Sequence, residues 1–324
     1  MALRRFAALA CAGLLFVPSA HAADAVLDHV IQLARTQGLY GDQPDWPAVE
    51  REAYARLTAT PGEAGRTAAI RFVLASLKDR HSTYRPPSPT PPLANPVTAA
   101  PQHAPVQSAD NPPIAEALAE AGGIGRLKIN GWSGEPMAVP MQARVVRAAL
   151  NEVLASSQCG VVIDVTTNMG GNMWPMMGGI APLYDEGVLE TFERRDGSRL
   201  EVHVAAGQLF NGDAPYPQVA LPALSRVPSH IAVIIGPRTM SSGEILAIGF
   251  KGQRNVRFFG QPSGGYTTSN RSFPLENGGK LLLTTSRILD RKGAVQHGPV
   301  LPDETTEQPL DAARAWLQAH CVRP

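Results

Sequence analysis

From Ala25 to Tyr84 the apolar residues recur at helical spacing. Val26, Val30 and Leu33 fall on one face, and Ile70, Val73, Leu74 and Leu77 follow the i, i+3, i+4, i+7 order with which a helix buries one stripe. Asp45-Trp46-Pro47 reads as a helix start ahead of Val49 to Leu57, and Pro61-Gly62 interrupts before the next helix. A small N-terminal helical domain is predicted over residues 23–84. The pattern is then lost in RPPSPTPPLANPVTAAPQHAPVQSADNPP, residues 85–113, which has too much proline and too few large apolar residues to fold by itself. This segment is predicted to be an extended linker.

Across residues 114–324 short apolar runs alternate with helical patterns. Arg126 to Ile129 reads as a strand, Met141 to Leu154 as an amphipathic helix, and Val161 to Val165 as a buried strand. Ile231 to Ile235, Val256 to Phe259 and Lys280 to Thr285 read as further strands, with a helix from Gly243 to Phe250. Asp311 is suited to cap a closing helix through Trp316 and Leu317. Apolar strands separated by helices imply an α/β domain.

Charge narrows the partners. The 29 Lys and Arg nearly cancel the 28 Asp and Glu, so the chain lacks the electrostatic footprint of a nucleic-acid binder or of a protein held on an anionic membrane. At the N-terminus, Arg4 and Arg5 precede an apolar run that ends at Ala20-His21-Ala22, the pattern of a signal peptide over residues 1–22. The run is shorter than the roughly 20 residues a membrane-spanning helix needs. A mature chain from near Ala23, secreted and periplasmic, is expected, with membrane association only through secretion or peripheral contact. Cys159 and Cys321 can pair in an oxidising compartment; two unpaired cysteines in surface turns fit the sequence equally.

Two stretches carry candidate chemistry. GPRTMSSGEILAIGF, residues 236–250, places Ser241 and Ser242 between a strand-like and a helix-like run. A serine there is exposed at a sheet end beside free N–H groups able to stabilise an oxyanion; one of the two can equally be a plain N-cap. VVIDVTTNMGGNMWPM, residues 161–176, ends a strand in Gly170-Gly171, where the backbone can approach a substrate carbonyl and offer an N–H.

The order of GRLKING, VVIDVTTNMGGNMWPM, IAVIIGPRTMSSGEI, FFGQPSGGYTTSN, NGGKLLLTTSRILDRKG and HGPVLPD resembles the S41 peptidases, the tail-specific or C-terminal-processing protease family, across residues 124–307. The resemblance implies a crotonase-like (ClpP-like) α/β core. It makes Ser241 the nucleophile, Ser242 an oxyanion donor through its N–H, and Gly170 or Gly171 the other donor. The lysine that usually serves as base in this family is absent, and Tyr266 stands near its place. A phenol with a pKa near 10 is a poor base at neutral pH. The branch that includes tricorn-like and lantibiotic-cleaving (nisin-resistance) members uses a histidine from the N-terminal side, and LKDRHSTY, residues 77–84, supplies His81. Its ordinary pKa near 6.5 suits a base that must return its proton. Asp79, Glu244, Asp303 and Glu304 are the candidates for orienting that histidine.

The expected reaction is acyl transfer on a peptide or unstructured protein, with no metal and no organic cofactor, since the sequence has neither HExxH nor a phosphate-binding loop. The linker is too short for the PDZ domain that many tail-specific proteases carry, which favours an open or tunnel-like cleft for small or extended peptides. A non-catalytic binding protein on the same fold, and an esterase using Ser241, are the alternatives.

Overall fold

The computed structural model describes residues 24–87 and 112–321. The expected signal peptide and nearly all of the expected linker lie outside the described residues. Helices α1 (Ala25–Gln37), α2 (Trp46–Ala59) and α3 (Glu63–Ser76) come first, followed by strand β1 (Thr83–Arg85). Asp24 and Asp45 cap α1 and α2 by accepting the N–H groups of Leu27 and Ala48.

The remainder runs β2 (Ala115–Glu120), β3 (Ile124–Ile129), α4 (Val139–Ser156), β4 (Val161–Asp164) and α5 (Met173–Ile180). It continues with β5 (Gly187–Arg194), β6 (Arg199–Ala205), β7 (Gln208–Asn211) and β8 (Ala214–Pro215). The last part holds β9 (Ile231–Ile235), α6 (Ser242–Phe250), β10 (Val256–Gly260), β11 (Thr268–Pro274), β12 (Lys280–Asp290), β13 (Glu304–Thr305) and α7 (Pro309–Ala319).

Two sheets result. One has the order β13-β10-β9-β4-β3-β2 and is parallel except for β2. Its central strands β4 and β9 are wholly apolar except Asp164 and buried throughout, because both faces are covered. Val161, Ile163, Ile231 and Val233 pack with α4, α5 and α6, whereas Val162, Ala232 and Ile234 point to the other face, toward Ala313 and Leu317 of α7. A disulfide between Cys159 and Cys321, Cα atoms 4.7 Å apart, ties the end of α7 to the segment entering β4.

The second sheet is antiparallel, in the order β1-β12-β5-β6-β7-β8, with β11 on the other edge of β12. The alternation of strands and helices predicted from Arg126 onward describes the first sheet but, of this one, includes only β12, through the strand expected at Lys280 to Thr285. Residues 187–215 form a four-stranded meander whose strands lack the continuous apolar runs of β4 and β9. Asp311 does not cap the closing helix: Gln308 precedes it, and Asp311 sits inside the first turn, paired with Arg314 at 2.7 Å.

The helices have no core of their own apart from this second sheet. Leu27, Val30, Ile70 and Val73 bury themselves together with Tyr84 of β1 and Leu281 and Leu283 of β12. That packing carries the chain leaving α3 onto the same surface as the end of β9.

Candidate active site

Ser241 occupies the turn between β9 and α6 with φ 52° and ψ −116°, a strained conformation for a residue with a Cβ. The surroundings over-determine it. Buried Thr239 donates its hydroxyl to the Val165 carbonyl (2.8 Å) and accepts the Gly236 N–H (3.0 Å). The Met240 N–H goes to the Asn168 carbonyl at 2.9 Å, and the Ser241 N–H to Glu244 Oε2 at 2.9 Å. A sharp strand-to-helix turn of this kind lifts the serine oxygen to the end of the sheet.

His81 arrives from the end of α3. The Asp79 carboxylate accepts the backbone N–H of His81 (2.9 Å) and of Ser82 (2.6 Å), and Asn270 Nδ2 donates to the His81 carbonyl at 2.8 Å. The ring then bridges two hydroxyls: Nε2 lies 2.9 Å from Ser241 Oγ, and Nδ1 lies 2.8 Å from Thr268 Oγ1 at the start of β11. Tyr266 meets the ring edge-on, centroids 5.5 Å apart, and its hydroxyl accepts from Arg80 at 3.3 Å. Burial lowers the pKa of His81 from its ordinary 6.5, and the charge of Asp79 acts in the opposite direction. In the tautomer protonated on Nδ1, the neutral ring donates to Thr268 and presents a lone pair on Nε2 to the Ser241 hydroxyl.

Backbone donors face the same serine. Ser242 begins α6, so its N–H has no intrahelical acceptor, and none is found among the described residues. Gly170 and Gly171 have φ of 105° and 114°. A Cβ on Gly170 would sit 2.8 Å from Ser241 Cβ, so only glycine lets this loop lie against the serine. The two N–H groups differ: that of Gly170 donates to Asn168 Oδ1 at 3.0 Å, whereas that of Gly171 has no protein acceptor among the described residues. The Ser242 hydroxyl donates to the Gly171 carbonyl and ties the loop to α6.

None of the four acids considered for orienting His81 touches its ring. Asp79 holds the backbone of His81 and acts on the ring only through space. Asp303 accepts the Phe258 N–H at 2.8 Å, and Glu304 pairs with Arg257 at 3.2 Å, both at the β10–β13 edge of the parallel sheet. Glu244 is fully buried and accepts the N–H groups of Gly265 and Tyr266 (2.7 Å each) and the Ser263 hydroxyl. Burial raises its pKa, against the opposing effect of these bonds, of which that from Ser263 is the largest. It fastens the loop before β11 to the serine turn. The partner of the ring is Thr268, which sequence reasoning missed; its one signal was a place in GGYTTSN. Asn168 and Ser263 were missed as well, because a positioning hydroxyl or amide has no recognisable spacing.

The family model described as Peptidase family S41 matches residues 123–306. A nisin-resistance protein from Lactococcus lactis subsp. lactis is 32% identical over 161 residues, which cover 49% of this chain and 50% of that protein. The chain thus spans about half the length of the curated relative it matches. Among solved structures, a lipoprotein from Streptococcus agalactiae superposes with a TM-score of 0.72 at 23% identity, over 91% of this chain and 95% of that one. A photosystem II D1 C-terminal processing protease does so with a TM-score of 0.54 at 15% identity, over 88% and 92%. Both share the mixed α/β fold.

Proposed function

This chain belongs to peptidase family S41, and we propose that it is a serine-type peptidase acting on peptide or protein substrates with a Ser241/His81 dyad. The observation that carries the reading is the 2.9 Å approach of His81 Nε2 to Ser241 Oγ across 160 residues of sequence. His81 takes the hydroxyl proton as Ser241 Oγ attacks the substrate carbonyl carbon. The oxyanion is held by the N–H groups of Ser242 and Gly171, with Gly170 shaping the loop rather than donating. The imidazolium returns its proton to the leaving amine, the acyl-enzyme forms, and His81 then deprotonates the water that releases it. Thr268 holds the ring in the tautomer this needs, and the nearby charge of Asp79 favours the imidazolium that forms.

In the same reading the parallel sheet with its helices is a crotonase-like (ClpP-like) core at residues 114–324. The helical unit at 23–84 delivers the base, residues 85–113 join the two, and residues 1–22 direct export to the periplasm. The match to a nisin-resistance protein makes a nisin-type peptide the first substrate to try. Labelling with a fluorophosphonate, which reacts with an activated serine, tests the dyad. Labelling of the parent chain that is lost in both Ser241→Ala and His81→Ala supports it; equal labelling of His81→Ala and the parent removes His81 from the mechanism.

A further inference from the structure

A cavity of about 460 Å³ opens at the far end of α5 from the glycine loop. Its walls are largely apolar, with Leu209, Tyr216, Val219, Leu221 and Leu224 among them, and exposed Val227 at its rim. One side is the segment between β8 and β9, fifteen residues, 216–230, without regular secondary structure. Volume and lining suit a small ligand, and a long irregular segment kept in a compact fold commonly has a binding role.

Arg147 of α4 is the only charged residue lining the cavity among the described residues. It is 3% exposed, and no Asp or Glu pairs with it among the described residues. Its guanidinium donates to three backbone carbonyls, those of Gly179 (2.6 Å), Pro222 (2.5 Å) and Gly178 (3.4 Å). Arginine has five N–H donors, so two have no acceptor of their own among the described residues. Burial without an opposing carboxylate lowers its pKa to about 10. A buried charge without a counter-charge destabilises a fold, and carbonyl dipoles compensate it only in part.

We propose that the cavity binds an apolar carboxylate, whose hydrocarbon part fills the walls while its two oxygens pair with Arg147 in the planar geometry a guanidinium favours. Such a ligand supplies the missing charge and the missing apolar contacts together. The chemistry is shared by a free aliphatic acid and by the C-terminal residue of a peptide with an aliphatic side chain. The site is separate from the serine site. Tyr216 on its wall packs against Trp174 at 4.7 Å between ring centroids, and Trp174 lies in the first turn of α5, directly after the glycine loop.

Isothermal titration of the full chain carrying Ser241→Ala tests the proposal without interference from turnover. The probes are decanoate against decanamide, and acetyl-valyl-leucine against its amide. At least one acid is expected to bind once per chain and at least tenfold more tightly than its own amide. Arg147→Met should erase that difference, whereas Leu224→Trp, which fills the cavity and leaves Arg147 in place, should abolish binding of acid and amide alike. Preference for decanoate identifies a free aliphatic acid, and preference for the peptide acid identifies a peptide end. The proposal is overturned if neither acid outbinds its amide, if the preference survives Arg147→Met, or if Leu224→Trp binds as the parent does. Should Arg147→Met fail to fold, the acid–amide difference and the Leu224→Trp result decide by themselves.

Discussion

Replacing Thr268 by valine keeps its shape at the start of β11 but removes the oxygen 2.8 Å from His81 Nδ1. The neutral ring then has a part-buried Nδ1–H with no protein acceptor, which costs up to about 1–3 kcal/mol. Moving the proton to Nε2 relieves that cost, because Nε2–H can donate to Ser241 Oγ at 2.9 Å. In that tautomer the ring cannot accept the serine proton, so the penalty falls on the reactive form. At about 1.36 kcal/mol per factor of ten, kcat/KM should drop roughly 5- to 150-fold. Two assays read this: the second-order rate of fluorophosphonate labelling of Ser241, and peptide turnover, each alongside a thermal melt. Thr268→Asp provides the contrast. A carboxylate restores the acceptor and raises the His81 pKa by about 1–3 units, so activity returns and its acid limb moves to higher pH. Labelling and turnover of a folded Thr268→Val protein within twofold of the parent would refute the orienting role.

Three further predictions follow from the same geometry. Because burial lowers the pKa of His81 and only the neutral ring is a base, kcat/KM should reach half its plateau below pH 6.5; Asp79→Asn removes the charge that raises that pKa, so the half-point should move lower still, and an upward shift in the pH–rate profile would contradict the assignment. Gly170→Ala forces a Cβ to 2.8 Å from Ser241 Cβ at a φ of 105°, and should lower labelling of Ser241 by 100-fold or more, on the order of the loss of an oxyanion donor. Replacing Cys159 and Cys321 together by serine opens a link between positions 162 residues apart and should cost about 2–5 kcal/mol, read as a lower midpoint in urea, with activity at 25 °C nearly unchanged.

The parallel sheet was legible because β4 and β9 are short, continuous apolar runs, and the helices because their stripes repeat locally. The meander β5–β8 was not: β5 buries Glu190, Thr191 and Glu193 among its apolar residues, β7 and β8 are only a few residues long, and the alternation of Leu200, Val202 and Val204 in β6 went unread. A buried carboxylate in a strand is readable only when its neighbours across the sheet are known.

The sequence alone pointed to Ser241 through the register of its block, and to a strand-to-helix turn around it, because turn chemistry is written within a few residues. It also pointed to His81 once the lysine place was found filled by Tyr266. The tertiary structure decided the rest. Leu281 and Leu283 of β12 draw α1 and α3 onto the antiparallel sheet, and that packing brings the chain after α3 within 2.9 Å of the serine. The packed layers also put Asp303 and Glu304 at the β10–β13 edge, made Glu244 a clamp for the loop before β11 and gave the ring a threonine, whereas the bond from the Gly170 N–H to Asn168, which leaves the Gly171 N–H without a protein acceptor, is local. A side chain's neighbours within its own turn follow from local geometry, whereas a partner 187 positions away is chosen only by how the layers pack.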